Sequence, residues 1–464
     1  LTIHLLIGAS MRRKRNPQTS IFEVLGKHPG ARELEQMATI LATNHDMLDQ
    51  AYADLLKKRR HDTGRQGMTA EQVVRCALLK QFRELSYDDR AYYLADSHSF
   101  RSFVRLEPGT YPAKSTLQEN IKALSEDAWL AIHQFLLVYA QQAKIENGRK
   151  IRIDATAVQT DIHRPTDASL LWDGVRIITR WLFEGKELEP RPAYQCSDHR
   201  RVAKKRLLTT LNTTKQEIRQ KAYRDLLHYA GRVIGYAEQA IPELAEFGGE
   251  TLPDYLRARA LAEKMSRAIE LLRRVMDQTE RRVFKGESVP AAEKVVSLFE
   301  THTDIIVKKR RETEFGHKVF LTGGASNLIL DCLVERGNPA DTDLFLPLLE
   351  RHIEQYGRPP RQSTADGGFA SKANLAGAKE AHVKDVVFAK KRGLSIVEMA
   401  KSIWVYRRLR NFRAGIEANI STLKRSYGMK RCNWSGWEGF KAYIWSTIVA
   451  YNLNVLARIQ LAKA

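Results

Sequence analysis

Cysteine is scarce in this chain and never paired. Cys76, Cys196, Cys332 and Cys432 lie too far apart for a zinc knuckle or a disulfide framework, which points to a reducing cytosol. Cys196 and His199 form a lone Cys-x2-His with no second ligand pair nearby, so no metal is assigned there. Long apolar runs are missing as well. The longest, AYIWSTIVAYNLNVLARI from Ala442, is interrupted by Ser446, Thr447, Asn452 and Asn454, and reads as a buried helix of a soluble protein rather than a membrane span. The opening LTIHLLIGAS has no cationic leader and precedes Met11 and the run RRKR, the reverse of a secretory signal. Residues 1–15 are therefore expected to be a disordered extension, consistent with translation from a start upstream of Met11.

Negative charge is the other shortage. Asp and Glu number 54 against 75 Lys and Arg, a surplus of 21 with a pI near 9.7. Such a field attracts polyanions and speeds their association. Histone-like and ribosomal proteins share that charge but are usually shorter and poorer in core residues. Here 43% of residues are apolar or aromatic, enough for a large core across two or three domains.

From Asn16 to about Asn147 the periodicity is helical. Thr69 with Gln72 predicts a capping box opening MTAEQVVRCALLKQFREL, a second helix begins at Ser86, and Ser115 with Gln118 predicts an N-cap for STLQENIKAL. This region, 16–147, suits a helix-turn-helix DNA reader or, equally, a helical dimerisation module. Beyond Gly148 the pattern alternates: KIRIDATAV is a strand ending near Asp154. A long helical segment, about 166–303, follows. It reads as two long, basic helices, 199–237 and 255–284, joined by a loop around Pro242 to Pro253, a hairpin inserted into a mixed domain of 148–460. Strands resume at GHKVFLTGG and NLILDCLVERG, then a helix through LFLPLLERHIEQYG, a strand leading to Asp366, a helix near Ser371 to Ala381, the strand VKDVVFAKK and a final set of helices. With the insertion set aside, this strand and helix order is that of a ribonuclease-H-like α/β fold, in which the first and fourth strands are neighbours.

Arg413, Glu417 and Lys424 follow the spacing Arg-x3-Glu-x6-Lys within RRLRNFRAGIEANISTLKRSYGMKR. At about 100° per residue their side chains share an arc of about 40°. A carboxylate between two cations on one stripe could hold a divalent metal against a phosphate, and Asp154 and Asp366 would supply the remaining ligands. Three carboxylates suit Mg²⁺ or Mn²⁺, and two ions about 4 Å apart would activate the attacking oxygen and stabilise the leaving one. Each element alone has a plainer reading. Asp-Gly in ADGGF is most often a turn, Asp154 could be a polar residue on a half-exposed strand, and Glu417 could simply pair with Arg413 on a solvated helix. His163, Asp161 and Asp167 fit no familiar ligand pattern, and Trp434 and Trp437 suit core packing better than base stacking.

These residues resemble the bacterial insertion-sequence DDE transposases, whose third acidic residue lies in a Tyr-x2-Arg-x3-Glu-x6-Lys signature. KIRIDATAVQTDIHRPTDASLLWDGVRIITR is especially similar to the ISNCY-type group, and GMTAEQVVRCALLKQFRELSYDDRAYYLADSHSFRSF and KSTLQENI to the helical domain common in these enzymes. The resemblance implies a catalytic and metal-binding set of Asp154, Asp366 and Glu417, with Arg413 and Lys424 as phosphate contacts. It further implies terminal inverted repeats and target DNA as partners, cleavage followed by strand transfer, a dimer or larger synaptic assembly, and a cytoplasmic, nucleoid-associated location with no membrane. The signature's tyrosine position holds Arg410, and Tyr406, one turn earlier, falls within about 20° of the stripe; either Tyr406 substitutes for the tyrosine or that role is absent, and both Arg410 and Tyr406 are candidate phosphate contacts. Other readings are a DNA-binding protein without catalysis and a ribonuclease-H-like nuclease that cuts without joining.

Overall fold

The computed structural model describes residues 28–57, 67–249, 251–308 and 312–463. The expected extension at residues 1–15 lies outside them. The described chain divides into two compact units, one formed by the residues up to Asp161 together with Gly316 onward, the other by Ile162–Phe315.

Among the described residues the first unit opens with seven α-helices: α1 (Pro29–Ala42), α2 (Asp49–Leu56), α3 (Ala70–Phe82), α4 (Tyr87–Asp96), α5 (His98–Val104), α6 (Lys114–Ile121) and α7 (Glu126–Gln142). The capping box at Thr69 and Gln72 is formed, satisfying two of the free N–H groups at the start of α3, and Ser86 caps α4 with Asp89. The N-cap expected at Ser115 is not: α6 starts one residue earlier, at Lys114, with Ala113 in the cap position and no side-chain hydrogen bond.

Strand β1 (Lys150–Gln159) follows. After the second unit come β3 (Glu312–Gly323), β4 (Ile329–Glu335), α12 (Asp341–Tyr356), β5 (Gln362–Ala365), α13 (Lys372–Glu380), β6 (Asp385–Phe388), the single turn α14 (Ile396–Met399), α15 (Ile403–Ser426) and α16 (Trp437–Leu461). A strand missed in the sequence, β2 (Asp304–Lys308), pairs with β3. The sheet runs β2-β3-β1-β5-β6, with β4 also on β3; β1 is antiparallel to β3 and parallel to β5, and β5 is parallel to β6. This is the ribonuclease-H-like arrangement.

Helices and sheet share one core in this unit. Trp129, Leu136, Ile151, Phe320, Phe388 and Ile448 all belong to it, so the first seven helices do not stand as a separate body. The middle of α16, Ala442 to Asn454, is buried on every face, and its polar residues have internal partners: Asn452 exchanges two hydrogen bonds with the backbone of Ile329, Ser446 accepts from Gln81, and Asn454 accepts from Tyr427. The hydroxyls and amides that interrupt the longest apolar run are thus the ones that tie the helix to the start of β4 and to α3. Among the described residues no helix is long and apolar enough to cross a membrane.

The second unit has its own core, built from α8 (Asp167–Gly185), α9 (Arg200–Asn212), α10 (Gln216–Ala245) and α11 (Leu252–Thr279). The expected first long helix is in fact two. Thr213 takes an extended conformation, and the β-branched pair Thr213–Thr214 breaks the helix there. Pro242 lies inside the last turns of α10 rather than in a loop. The expected hairpin is therefore a four-helix arrangement that also includes α8.

Candidate active site

The register of β1 on β5 pairs Ile153 with Ala365, so Asp154 and Asp366 are the next residues on two neighbouring parallel strands. The strand does not end near Asp154 as expected: pairing with β3 carries β1 on to Gln159 and leaves Asp154 in mid-strand, while Asp366 begins the turn Gly367–Phe369. The side chain of Lys390, just after β6, packs on this turn where a Cβ at Gly367 would lie.

Helix α15 lies against β1, β5 and β6, with Leu409, Ile416 and Leu423 buried beneath it. Its Arg413 reaches both aspartates: Nη1 donates to Asp154 Oδ2 at 3.4 Å and to Asp366 Oδ1 at 3.3 Å, and Nη2 donates to Glu417 Oε1. Three carboxylates from three elements thus meet one guanidinium. Burial differs among them: Asp154 is 14% exposed, Asp366 44% and Glu417 59%. Burial pushes the Asp154 carboxyl up to about 6, against the lowering effect of the Ala155 N–H and Arg413, with Asp366 and Glu417 adding to the rise.

The other expected site residues divide. Lys424 Nζ donates to Ala157 O on β1 at 2.8 Å and so fastens the far end of α15 to the strand that bears Asp154. Arg410 is exposed one turn before Arg413. Tyr406 has nearly the azimuth of Arg413 and is 6% exposed, against 13% for the Arg413 side chain. At the start of α15 the helix packs on β6 and α14, and Tyr406 joins the core there. Trp434 is buried with its ring against Tyr443, and Trp437 stacks on Phe440. His163 and Asp167 are each held by other partners, Asp173 for the first, Gln278 and Arg282 for the second, and Asp161 pairs with Arg431.

Sequence reasoning passed over Arg152. Two residues before Asp154 and pointing to the same side of β1, it is buried beneath α15. It donates to Phe412 O at 3.3 Å, Asn327 Oδ1 at 2.7 Å and Asn419 Oδ1 at 3.3 Å. Gly415 makes the space: a Cβ there would lie 1.8 Å from Arg152 Nη1. Arg152 therefore fixes α15 over β1 in the position from which Arg413 and Glu417 meet the aspartates. The only sequence signal was a cation on the alternation of Asp154, indistinguishable from a surface arginine.

A divalent cation fits the donor chemistry. The ligands are all carboxylate oxygens, as hard cations prefer, and one arginine against three carboxylates leaves two negative charges. With the guanidinium among them, the carboxylates do not form a ready-made cage: among the described residues no group of three His, Cys, Asp or Glu side chains is placed to hold an ion.

Two family models match the chain. Residues 293–453 match the transposase DDE domain, and residues 28–123 match a transposase domain, DUF772. No curated protein and no solved structure matches. Asp366 and Glu417 fall within the first match, whereas Asp154, ahead of the second unit, falls within neither. The chain thus carries a transposase DDE domain, preceded by a DUF772 transposase domain.

Proposed function

We propose that the chain is an insertion-sequence transposase that cuts DNA at the terminal inverted repeats of its element and joins the ends to target DNA, with Asp154, Asp366 and Glu417 as the catalytic set. The observation that carries this reading is the meeting of those three carboxylates on Arg413, two of them from neighbouring parallel strands. Asp154, Asp366 and Glu417 would hold Mg²⁺ or Mn²⁺, which when bound offsets phosphate charge and lowers the pKa of the attacking oxygen. The protein's own part is placement. Asp154 is held by its strand and by the Ala155 N–H at 2.8 Å, and its low exposure keeps competing water away. Glu417 is set by α15 through Arg152. Arg413 on the carboxylates, Arg410 exposed one turn before it and Lys390 against the turn after Asp366 are the cations offered to the phosphate, while Lys424 holds the helix. Cleavage and joining are the same displacement with different attacking oxygens, so one set of carboxylates serves both. Two DNA ends must be handled together, which calls for a dimer or larger assembly.

The test is a nicking and joining assay on duplexes bearing the element's ends. The wild-type chain is expected to nick with Mg²⁺ and to stop with EDTA. Asp366→Ala is expected to shift the same duplex in a gel without cutting it. Cutting by Asp366→Ala at the wild-type rate would overturn the assignment. Binding without any wild-type cut favours a regulator, and cutting without joined product favours a nuclease.

A further inference from the structure

The second unit has a strongly uneven charge. Residues 200–232, covering α9 and the first half of α10, hold ten Lys and Arg but only two Asp and Glu. Elsewhere in the unit several cations meet carboxylates: Arg176 with Asp173, Arg257 with Glu184 and Glu187, Arg273 with Glu238, Arg282 with Asp167. On this hairpin Arg206 pairs with Asp225 and Arg200 with Asp198, but Arg201, Lys204, Lys205, Lys215 and Lys221 have no ion pair among the described residues.

Most of these cations, with Arg224, His228 and Arg232, are also aligned. At about 100° per residue, Arg201, Lys204 and Lys205 fall within an arc of about 100° on α9, opposite the buried Ala203 and Leu207. On α10, Lys221, Arg224, His228 and Arg232 fall within about 80°, opposite the buried Ala222, Leu226, Ala230 and Val233. All seven are solvent-exposed. The α10 stripe runs into an open groove of about 450 Å³ lined by His228, Gly231, Arg232, Gly235 and Tyr236. Tyr236 accepts a hydrogen bond from Arg232 at 2.7 Å and stacks with His199 at the start of α9. No atom lies within 4 Å of a Cβ placed at Gly231 or Gly235, so packing within the unit does not account for two poor helix formers on this face. Repulsion among unpaired cations is relieved by a polyanion, and backbone contact with phosphates needs neither a sequence code nor apolar surface.

We propose that the outer face of the α9–α10 hairpin is a track for the sugar-phosphate backbone of duplex DNA, made wholly within the second unit from residues that take no part in the proposed chemistry. This rests on the reading that the chain handles DNA, but not on its cutting DNA.

The test uses the full chain and a random-sequence 40-bp duplex, with affinity measured across a series of salt concentrations. Lys204→Gln/Lys205→Gln/Lys221→Gln is expected to keep the wild-type circular dichroism spectrum, to bind roughly tenfold or more weakly at moderate salt, and to lower the slope of log affinity against log salt by about two to three. A Gly231→Leu/Gly235→Leu variant, which fills the groove without changing charge, is expected to weaken binding too. An unchanged slope in the lysine variant overturns the proposal. So does a leucine variant that alters sedimentation mass yet binds DNA normally, because the groove then seats a second copy of the chain. A wild-type chain that never cuts but shows the expected slope change supports the track and refutes the chemistry.

Discussion

Asp154→Asn is expected to abolish cleavage and, in the absence of divalent metal, to make the protein more stable at neutral pH. The loss of cleavage follows from the proposed role: an amide is a weaker ligand for a hard cation and cannot supply the charge, so a fall of at least about a thousandfold is expected. The gain in stability follows from burial. The Asp154 carboxyl is ordinarily ionised above about 4, but here burial pushes it up to about 6. Between those values the folded chain holds a proton that the unfolded chain has released, so stability falls as pH rises through that window and then levels off. Two units of displacement correspond to about 3 kcal/mol. The asparagine variant escapes this penalty. With EDTA present, its melting temperature is expected to exceed wild type at pH 7.5, and the difference to vanish near pH 4. Equal melting temperatures across the whole range would show that Asp154 is not held in an unfavourable ionised state.

Arg152→Met carries the second large effect, in the opposite direction for stability. Methionine fills part of the space but leaves Asn327 Oδ1 and Asn419 Oδ1 without their guanidinium donor and removes the second donor to Phe412 O, which keeps its bond within the helix. Losing several buried hydrogen bonds at one site costs about 2–4 kcal/mol. Helix α15 would also lose its fixing point over β1, so cleavage is expected to fall at least about tenfold through misplacement of Glu417, with DNA binding unchanged. Denaturant midpoints and single-turnover cleavage measure the two effects separately. Wild-type values in both would mean that Lys424 and the buried face of α15 suffice to hold the helix.

Local signals in the sequence translated well where the physics is local. The capping residues of α3 and α4 and the strand-to-turn step at Asp366 are each set by neighbours a few residues away, and the structure has them. Strand β1 is present, but its burial does not alternate, because α15 covers Arg152 on the expected polar face. The side-by-side placement of β1 and β5 came from element order and is also present. What was not legible depended on distant chain. Tyr406 has nearly the same helical azimuth as Arg413, yet one joins the core and the other meets carboxylates, a difference that periodicity does not carry. Arg152 looked like any strand cation because its acceptors lie 175 to 267 positions away. The helix break at Thr213 was missed because threonine is only mildly unfavourable inside a helix, and periodicity on both sides continues across it.

The hydrogen bond from Arg413 to Asp154 spans 259 positions of the chain, with the whole second unit threaded between β1 and the rest of the sheet. On a ribosome, where residues emerge in order, Asp154 is made early and waits through the synthesis of four long helices before its neighbours exist. The sheet's central strand has no β5 to lie beside until then, and contacts so distant in sequence close slowly. A nascent or interrupted chain therefore exposes its basic hairpin well before it owns a complete set of carboxylates. Such a fragment would occupy DNA without cutting it, so the order of synthesis itself separates attachment from damage.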